Sequence, residues 1–273
     1  MVKIKAYAKI NLALEVMDLE DGYHKVNNLM IPIDLYDEIE IEKDKDIYVV
    51  DDPFPNENIM VKAAKLFFSY THIESGCKII IKKNIPSAAG LAGGSSDAAA
   101  TLKGLNELYE ANLTDEVLIE LSKELGSDVG FFIKCELSMC IGRGEIVIPL
   151  HITPKPISLV LIKPNVELST ALVYKHYVYL NESKKEKIDK IIDALGNNDT
   201  NLLKKNIFND LEKTAISLSS RLKDLYQEIE SYGVHPYVSG SGPTMYLLNE
   251  DEEVINKIKK NIKDAFIYEG YTK

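Results

Sequence analysis

The sequence predicts an α+β fold of two α/β-type domains, each with a sheet covered by helices. Three observations carry this expectation. Strand-like and helix-like apolar patterns follow one another in both halves of the chain. A run of small residues, Pro86-Ser87-Ala88-Ala89-Gly90-Leu91-Ala92-Gly93-Gly94-Ser95-Ser96-Asp97, joins a strand pattern at 77–82 to an alanine-rich helical pattern at 97–109. Residues 151–156 contain two prolines and no periodicity, which places a boundary there and divides the chain into residues 1–153 and 154–273. A chain of 273 residues can form one large domain or two moderate ones.

Taken in order, residues 6–16 and 37–42 carry strand patterns, the second alternating Ile39 and Ile41 with acids. Asn58 is a plausible N-cap for a helix over 59–70, in which Ala63, Ala64, Phe67 and Phe68 recur at helical spacing. Thr114 opens another helix, with Val117, Leu118, Leu121 and Leu125 on one face and Gly126 at its end. Short strands are expected near 138–141 and 145–149. Beyond the boundary, 157–162 reads as a buried strand and 169–177 and 184–195 as helices. Residues 209–232 form a long amphipathic pattern with a break near 217–220. Two strands, 236–239 and 244–248, flank a Gly-Ser-Gly turn. A charged helix over 252–265 and a strand at 266–268 complete a second sheet expected to be covered on one face.

Composition narrows the function. The apolar fraction is 45%, and no apolar run approaches the roughly 20 residues that span a bilayer. The N-terminus lacks a secretory apolar core, so a cytoplasmic location is expected. The net charge of −10 argues against a nucleic-acid partner, which calls for a basic face. An anionic small molecule would then be held locally, by a few cations, backbone donors and a metal. Cys77, Cys135 and Cys140 have no metal-ligand spacing and cannot all pair within the chain, so they read as reduced, buried thiols.

Five segments carry candidate chemistry. The small-residue loop lets backbone N–H groups approach a polyanion, and Ser95 and Ser96 add hydroxyls. Its spacing is neither that of a Walker A loop nor that of a dinucleotide fingerprint. A tight packing turn uses similar residues, and Ser95 alone could be an N-cap. Lys9 and Asn11 fall on one face of a strand, with Ile10 and Leu12 on the other, where a cation and an amide can orient a hydroxyl. Asp21-Gly22-Tyr23-His24 is a turn presenting two aromatic planes. Asp128, between Gly126 and Gly130, is either a helix cap or a proton acceptor. The loop Ser239-Gly240-Ser241-Gly242 can close over phosphates or substrate, or be a plain hairpin turn.

Together these segments resemble the superfamily named for galactokinase, homoserine kinase, mevalonate kinase and phosphomevalonate kinase. The resemblance rests on the lysine-bearing strand, the Pro86–Ser96 loop and the late Gly-Ser-Gly loop, and it spans nearly the whole chain. Ala8-Lys9-Ile10-Asn11-Leu12, Asp21-Gly22-Tyr23-His24, Gly142-Arg143-Gly144-Glu145 and Asn209-Asp210-Leu211-Glu212 resemble the branch that phosphorylates the 2-hydroxyl of 4-diphosphocytidyl-2-C-methyl-D-erythritol in non-mevalonate isoprenoid biosynthesis. The Asp-Gly-Tyr-His turn is the most discriminating piece.

The resemblance implies mixed sheets, an active site in the cleft between the two domains, ATP as donor and Mg²⁺. It implies Asp128 as base and Lys9 as its electrostatic partner, Asn11 on the acceptor, and Tyr23, His24 and Tyr174 around a cytidine. It implies Asn58 and Lys82 at the adenosine end, and Pro86, Ala88, Ala89, Gly90, Leu91, Ala92, Gly93, Gly94, Ser95 and Ser96 around the phosphates. It fixes no metal ligand. Ala88, Ala89 and Ala92 stand where the family commonly has glycine, and their Cβ atoms restrict positive φ. Two other readings share the phosphate loop: a relative acting on a smaller acceptor, which would not need Tyr23 and His24, and a non-catalytic ATP-binding protein.

Overall fold

Two long antiparallel strands, β1 (Val2–Glu20) and β2 (Tyr23–Asp44), organise the N-terminal half. The computed structural model describes residues 1–20, 22–52, 57–179 and 181–273. Both strands outrun the expected 6–16 and 37–42. Residues 8–14 and 28–33 are buried without interruption, so the two-residue alternation that marks a half-exposed strand is absent there. Then follow β3 (Ile47–Val49), α1 (Ile59–Thr71), β4 (Gly76–Lys82), α2 (Gly93–Leu108), α3 (Asp115–Ser122), α4 (Val129–Lys134), β5 (Ser138–Gly142) and β6 (Ile146–Pro149). Asn58 caps α1 by accepting from Met60 N–H at 2.8 Å, and Thr114 caps α3, as read from the sequence. α3 stops at Ser122, and turns carry the chain on to Gly126.

The second half contains β7 (Ser158–Pro164), α5 (Thr170–His176), α6 (Lys185–Asn197), α7 (Thr200–Asn206), β8 (Phe208–Asn209), α8 (Glu212–Ser217), α9 (Ser220–Glu230), β9 (Tyr237–Val238), β10 (Met245–Leu248), α10 (Glu252–Asn261) and β11 (Ala265–Tyr271). The expected break near 217–220 separates α8 from α9, with the Ser219 hydroxyl capping the latter. α10 ends earlier than expected and β11 is correspondingly longer. No helix among the described residues is long and apolar enough to cross a membrane.

The first sheet runs β3-β4-β2-β1-β8, with β5 and β6 added at the N-terminal part of β2; it is mixed, because β3 and β8 pair in parallel. Helices α1, α2 and α4 cover one of its faces through Phe67, Ala98, Leu102 and Phe131. The second sheet runs β11-β7-β10-β9 and is antiparallel. The expectation of one covered face is corrected here. Val160, Ile162, Met245 and Leu247 pack on α8 and α9, through Ala215, Leu222 and Leu225. Leu159, Leu161, Tyr246 and Leu248 share a second core with Ala8, Ile10, Leu12, Leu29 and Ile31. The two sheets therefore bury apolar surface against each other, and this core holds residues from both sides of position 153. Cys77 and Cys140 are buried, Cys135 is half-buried, and none is in a disulfide.

A buried charge cluster holds the entry to the small-residue loop. Asp37 on β2 is fully buried and accepts the backbone N–H groups of Asn84 at 2.6 Å and Ile85 at 2.8 Å. The Lys83 ammonium donates to Asp37 and, at 2.7 Å, to Asp97 on α2. The second Asp97 oxygen, Oδ1, is buried without a hydrogen-bond partner among the described residues. Burial pushes the Asp97 carboxyl up to about 7, against the pull of Lys83; burial also disfavours the Lys83 ammonium, but Asp97 and Asp37 outweigh it and hold its pKa high.

This raised acid has a testable consequence. Between its ordinary 3.8 and about 7, the folded chain keeps a proton on Asp97 that the unfolded chain releases, so stability falls as pH rises through that window. Asp97→Asn lacks this proton. Urea unfolding at pH 5 and pH 8 should show the variant gaining on wild type by on the order of 1–2 kcal/mol at the higher pH. A difference that does not change with pH would contradict the assignment.

Candidate active site

Lys9 is only 3% exposed, yet its side chain lines a cavity of about 1700 Å³. Irregularities in the β1–β2 register fall on both sides of the Lys9–Asn11 segment, between Tyr7 and Lys9 and between Asn11 and Ala13. They leave Lys9 and Asn11 facing the cavity while Ala8, Ile10 and Leu12 enter the shared core. Lys9 Nζ donates to Asn11 Oδ1 at 2.7 Å and to the Gly90 carbonyl at 3.1 Å. Asp128 Oδ2 lies 3.9 Å from the same nitrogen. Burial pushes the Lys9 ammonium below its usual pKa, and the Asp128 carboxylate opposes that shift.

Asp128 occupies the residue before α4 but makes no capping hydrogen bond from its side chain. Its carboxylate is 31% exposed and faces the cavity, so the helix-cap reading fails. Asn11 in turn donates to Asn28 Oδ1 at 2.6 Å, which fixes its amide orientation.

The small-residue loop borders this pair. α2 begins at Gly93, one turn earlier than the helix read from the sequence, because Ala92 takes a left-handed conformation (φ 55°) at the N-cap position. Ser95 therefore lies inside the first turn and is not the cap. Ala88 also has positive φ (47°), so two of the three alanines, Ala88 and Ala92, adopt the conformations that glycine would favour. The first-turn N–H groups of a helix have no partner in the helix itself. Those of Gly93, Gly94 and Ser95 find no backbone acceptor elsewhere among the described residues. A Cβ at Gly94 would meet nothing within 4 Å, so this glycine leaves room for a ligand, whereas one at Gly93 would press on Ile85 at 2.9 Å. Pro86, Ala88, Ala89, Gly90, Ala92, Gly93, Gly94 and Ser95 line the cavity. Leu91 and Ser96 are buried, and neither lines it.

The late loop is stitched to this centre. Ser239 Oγ donates to the Gly90 carbonyl at 3.0 Å and to Asn11 Oδ1 at 3.3 Å. A Cβ at Gly90 (φ 73°) would lie 2.2 Å from the Ser239 carbonyl, so only glycine fits this close approach. Asn209 Nδ2 donates to the carbonyls of Val238 at 2.8 Å and Gly240 at 2.7 Å, and Glu212 accepts Val238 N–H at 3.0 Å. Asn209 and Glu212 thus hold the loop rather than any ligand. Gly240 and Ser241 line the cavity; Ser239 and Gly242 support them from behind.

At one end of the cavity stand Tyr23, His24 and Tyr174. Asp21, the first residue of their turn motif, lies outside the described residues. His24 stacks near Tyr174 (6.1 Å, 30°) and meets Tyr177 edge-on. Its Nδ1 lies 2.8 Å from the Met17 carbonyl. A carbonyl can only accept, so Nδ1 carries the proton, and Nε2 of the neutral ring is left as an acceptor. Burial raises the Tyr174 hydroxyl pKa, with a further push from the Asp128 charge.

The other end holds Val49, Asn58, Met60, Ile80, Ile81 and Lys83. The expectation for Lys82 is corrected: its side chain is exposed, pairs with Glu38 at 2.7 Å and does not line the cavity. Lys83 lines it instead. Lys83 follows the end of β4 and is held by Asp37 and Asp97 beside the small-residue loop, and no local pattern in the sequence separates it from Lys82. The cavity side chains Asn28 and Arg143 had no assigned role in the sequence reading.

Known proteins share the sequence and fold of this chain. Residues 58–135 match the model of the GHMP kinases N terminal domain, and residues 191–267 that of GHMP kinases C terminal. The chain is 39% identical to the 4-diphosphocytidyl-2-C-methyl-D-erythritol kinase of Clostridium tetani, over 97% of this chain and 99% of that one. It is likewise 39% identical to the enzyme of the same name from Caldicellulosiruptor bescii, over 90% and 88%. A crystal structure of 4-(cytidine 5'-diphospho)-2C-methyl-D-erythritol kinase superposes with a TM-score of 0.82 at 28% identity, covering 99% of both chains. A homoserine kinase from Cytophaga hutchinsonii shares the fold, with a TM-score of 0.70 at 19% identity over 98% and 94%. The chain belongs to the GHMP kinases, and within them to the family of 4-diphosphocytidyl-2-C-methyl-D-erythritol kinases.

Proposed function

We propose that this chain transfers the terminal phosphoryl group of ATP to the 2-hydroxyl of 4-diphosphocytidyl-2-C-methyl-D-erythritol, in isoprenoid precursor synthesis by the non-mevalonate route. One observation carries the reading. A single cavity joins a helix N-terminus whose first N–H groups have no backbone acceptor among the described residues, a buried lysine paired with a cavity-facing carboxylate, and an aromatic cluster at the far end.

Phosphoryl transfer needs alignment and charge stabilisation more than covalent chemistry. In this reading the Gly93, Gly94 and Ser95 N–H groups hold the donor phosphates at the positive end of α2. Asn58, Lys83 and the apolar wall of Met60, Ile80 and Ile81 receive the adenosine end. The Asp128 carboxylate accepts a hydrogen bond from the 2-hydroxyl and takes its proton as the new bond forms. The Lys9 ammonium stands 3.9 Å from that carboxylate, where it offsets charge on the reacting oxygens, and orientation of the hydroxyl is a large part of the work of Asp128. Asn11, held by Asn28, contacts the acceptor. His24 Nε2 is an acceptor suited to the exocyclic amine of cytosine, with Tyr23 and Tyr174 offering ring faces. Residues 1–153 carry the ATP site and the catalytic pair; residues 154–273 complete the substrate side through Tyr174 and the 239–242 loop.

Magnesium, when bound, neutralises phosphate charge. Among the described residues there is no cluster of three carboxylate, imidazole or thiol side chains that could hold a metal. The site fits an ion carried mainly by phosphate oxygens and water, with the Ser95 hydroxyl as the protein oxygen at the helix entrance.

Two substitutions test the roles. Asp128→Asn keeps the shape and should lower kcat by roughly 10²–10⁴-fold while leaving the KM for ATP unchanged; a wild-type kcat would remove Asp128 from the chemistry. Tyr23→Ala should raise the KM for the cytidyl acceptor by about tenfold, as expected for loss of one stacked base, without weakening ATP binding. Equal losses for both substrates, or equal wild-type activity on acceptors without the cytidine diphosphate, would refute the acceptor assignment.

A further inference from the structure

Four cationic lysine and arginine side chains line the cavity: Lys9, Lys83, Arg143 and Lys175. Lys9 is committed to Asn11, Gly90 and Asp128, and Lys83 to Asp37 and Asp97. Lys175 is exposed on α5. Arg143 differs from all three. Its backbone N–H bonds Glu145 Oε2 at 2.6 Å, but its guanidinium has no carboxylate partner among the described residues. The guanidinium carbon sits 4.1 Å from the centroid of the Tyr23 ring.

The backbone fixes this position. Arg143 is the tip of the β5–β6 turn, between Gly142 (φ 75°) and Gly144 (φ 107°). The pairing of Val26 with Gly142 sets the turn beside the end of β2 that bears Tyr23 and His24. On its other side the turn packs on the Asp128 loop: a Cβ at Gly144 would lie 3.4 Å from Ser127 Cβ and 3.8 Å from Asp128 Oδ1. Arg143 therefore occupies the interval between the aromatic end and the reacting end. A guanidinium held over an aromatic ring can present its face to the ring and keep in-plane N–H edges to donate.

We propose that Arg143 binds the diphosphate that links the two ends of the acceptor, and so selects a nucleoside diphosphate over the bare nucleoside. This rests on the acceptor assignment above. A diphosphate entering a chain of net charge −10 needs a local cation. A planar guanidinium free of carboxylates is matched to two phosphate oxygens.

The test pairs kinetics with binding, on wild type, Arg143→Ala and Arg143→Lys. Arg143→Ala should raise the KM for the acceptor by about tenfold or more, with kcat and the KM for ATP within about twofold of wild type, and Arg143→Lys should restore part of the loss. Calorimetric titration with cytidine and with cytidine diphosphate should show the wild type preferring the diphosphate by about tenfold. That preference should vanish in Arg143→Ala while cytidine affinity stays. A fall in kcat with an unchanged acceptor KM, or a diphosphate preference that survives Arg143→Ala, would overturn the inference. Wild type that phosphorylates no cytidyl acceptor, yet shows an Arg143-dependent preference for the diphosphate, would overturn the reaction and keep the site. Turnover of that acceptor with Arg143 immaterial to both measurements would do the reverse.

Discussion

An ammonium group removed from water must be surrounded by acceptors, and that constraint on Lys9 organises the centre of this molecule. Its partners are Asn11 on the same strand and two groups from distant parts of the chain, the Gly90 carbonyl of the phosphate loop and Asp128 before α4. None of the three can move far without leaving the charge uncompensated. The same Gly90 carbonyl also accepts from Ser239, so the late loop joins the cluster. A phosphate-binding loop, a proton acceptor and a substrate-side loop are thereby held in one register.

The two sheets make this arrangement rigid. Ala8, Ile10 and Leu12 of β1 enter the core shared with β7 and β10, while Lys9 and Asn11 face the cavity. Tyr246 on β10 reaches across the shared core to donate to the Asn11 carbonyl at 2.7 Å. Asp210 binds Val16 N–H at 2.9 Å and also engages Lys184 and Tyr177, tying the second half to β1 near the aromatic end of the cavity. Packing and polar contacts thus converge on the strand that carries the buried cation.

Parts of this were legible in the sequence because they depend on local periodicity. The common facing of Lys9 and Asn11 follows from strand alternation, and the caps at Asn58 and Thr114 follow from side-chain chemistry. The break between α8 and α9 showed as a serine-rich interruption. What depends on long-range apposition did not show. The apolar run of β1 hides which face meets the second sheet. The start of α2 at Gly93 required Ala92 to accept a left-handed backbone, which alanine does not advertise. Lys82 and Lys83 are chemically identical in sequence, and only the pairing of Lys82 with Glu38 tells them apart. Arg143 was visible within a family-like motif, but its contact with Tyr23 exists only because β5 pairs with β2.

A double-mutant cycle between Lys9 and Asp128, read by single-turnover phosphoryl transfer, addresses the centre of the account most directly. If the two groups act on one oxygen, Lys9→Met and Asp128→Asn should be strongly non-additive, the double variant being little slower than the slower single variant. Losses that simply multiply would mean that the ammonium and the carboxylate work independently, and the account of a shared reacting centre would fail.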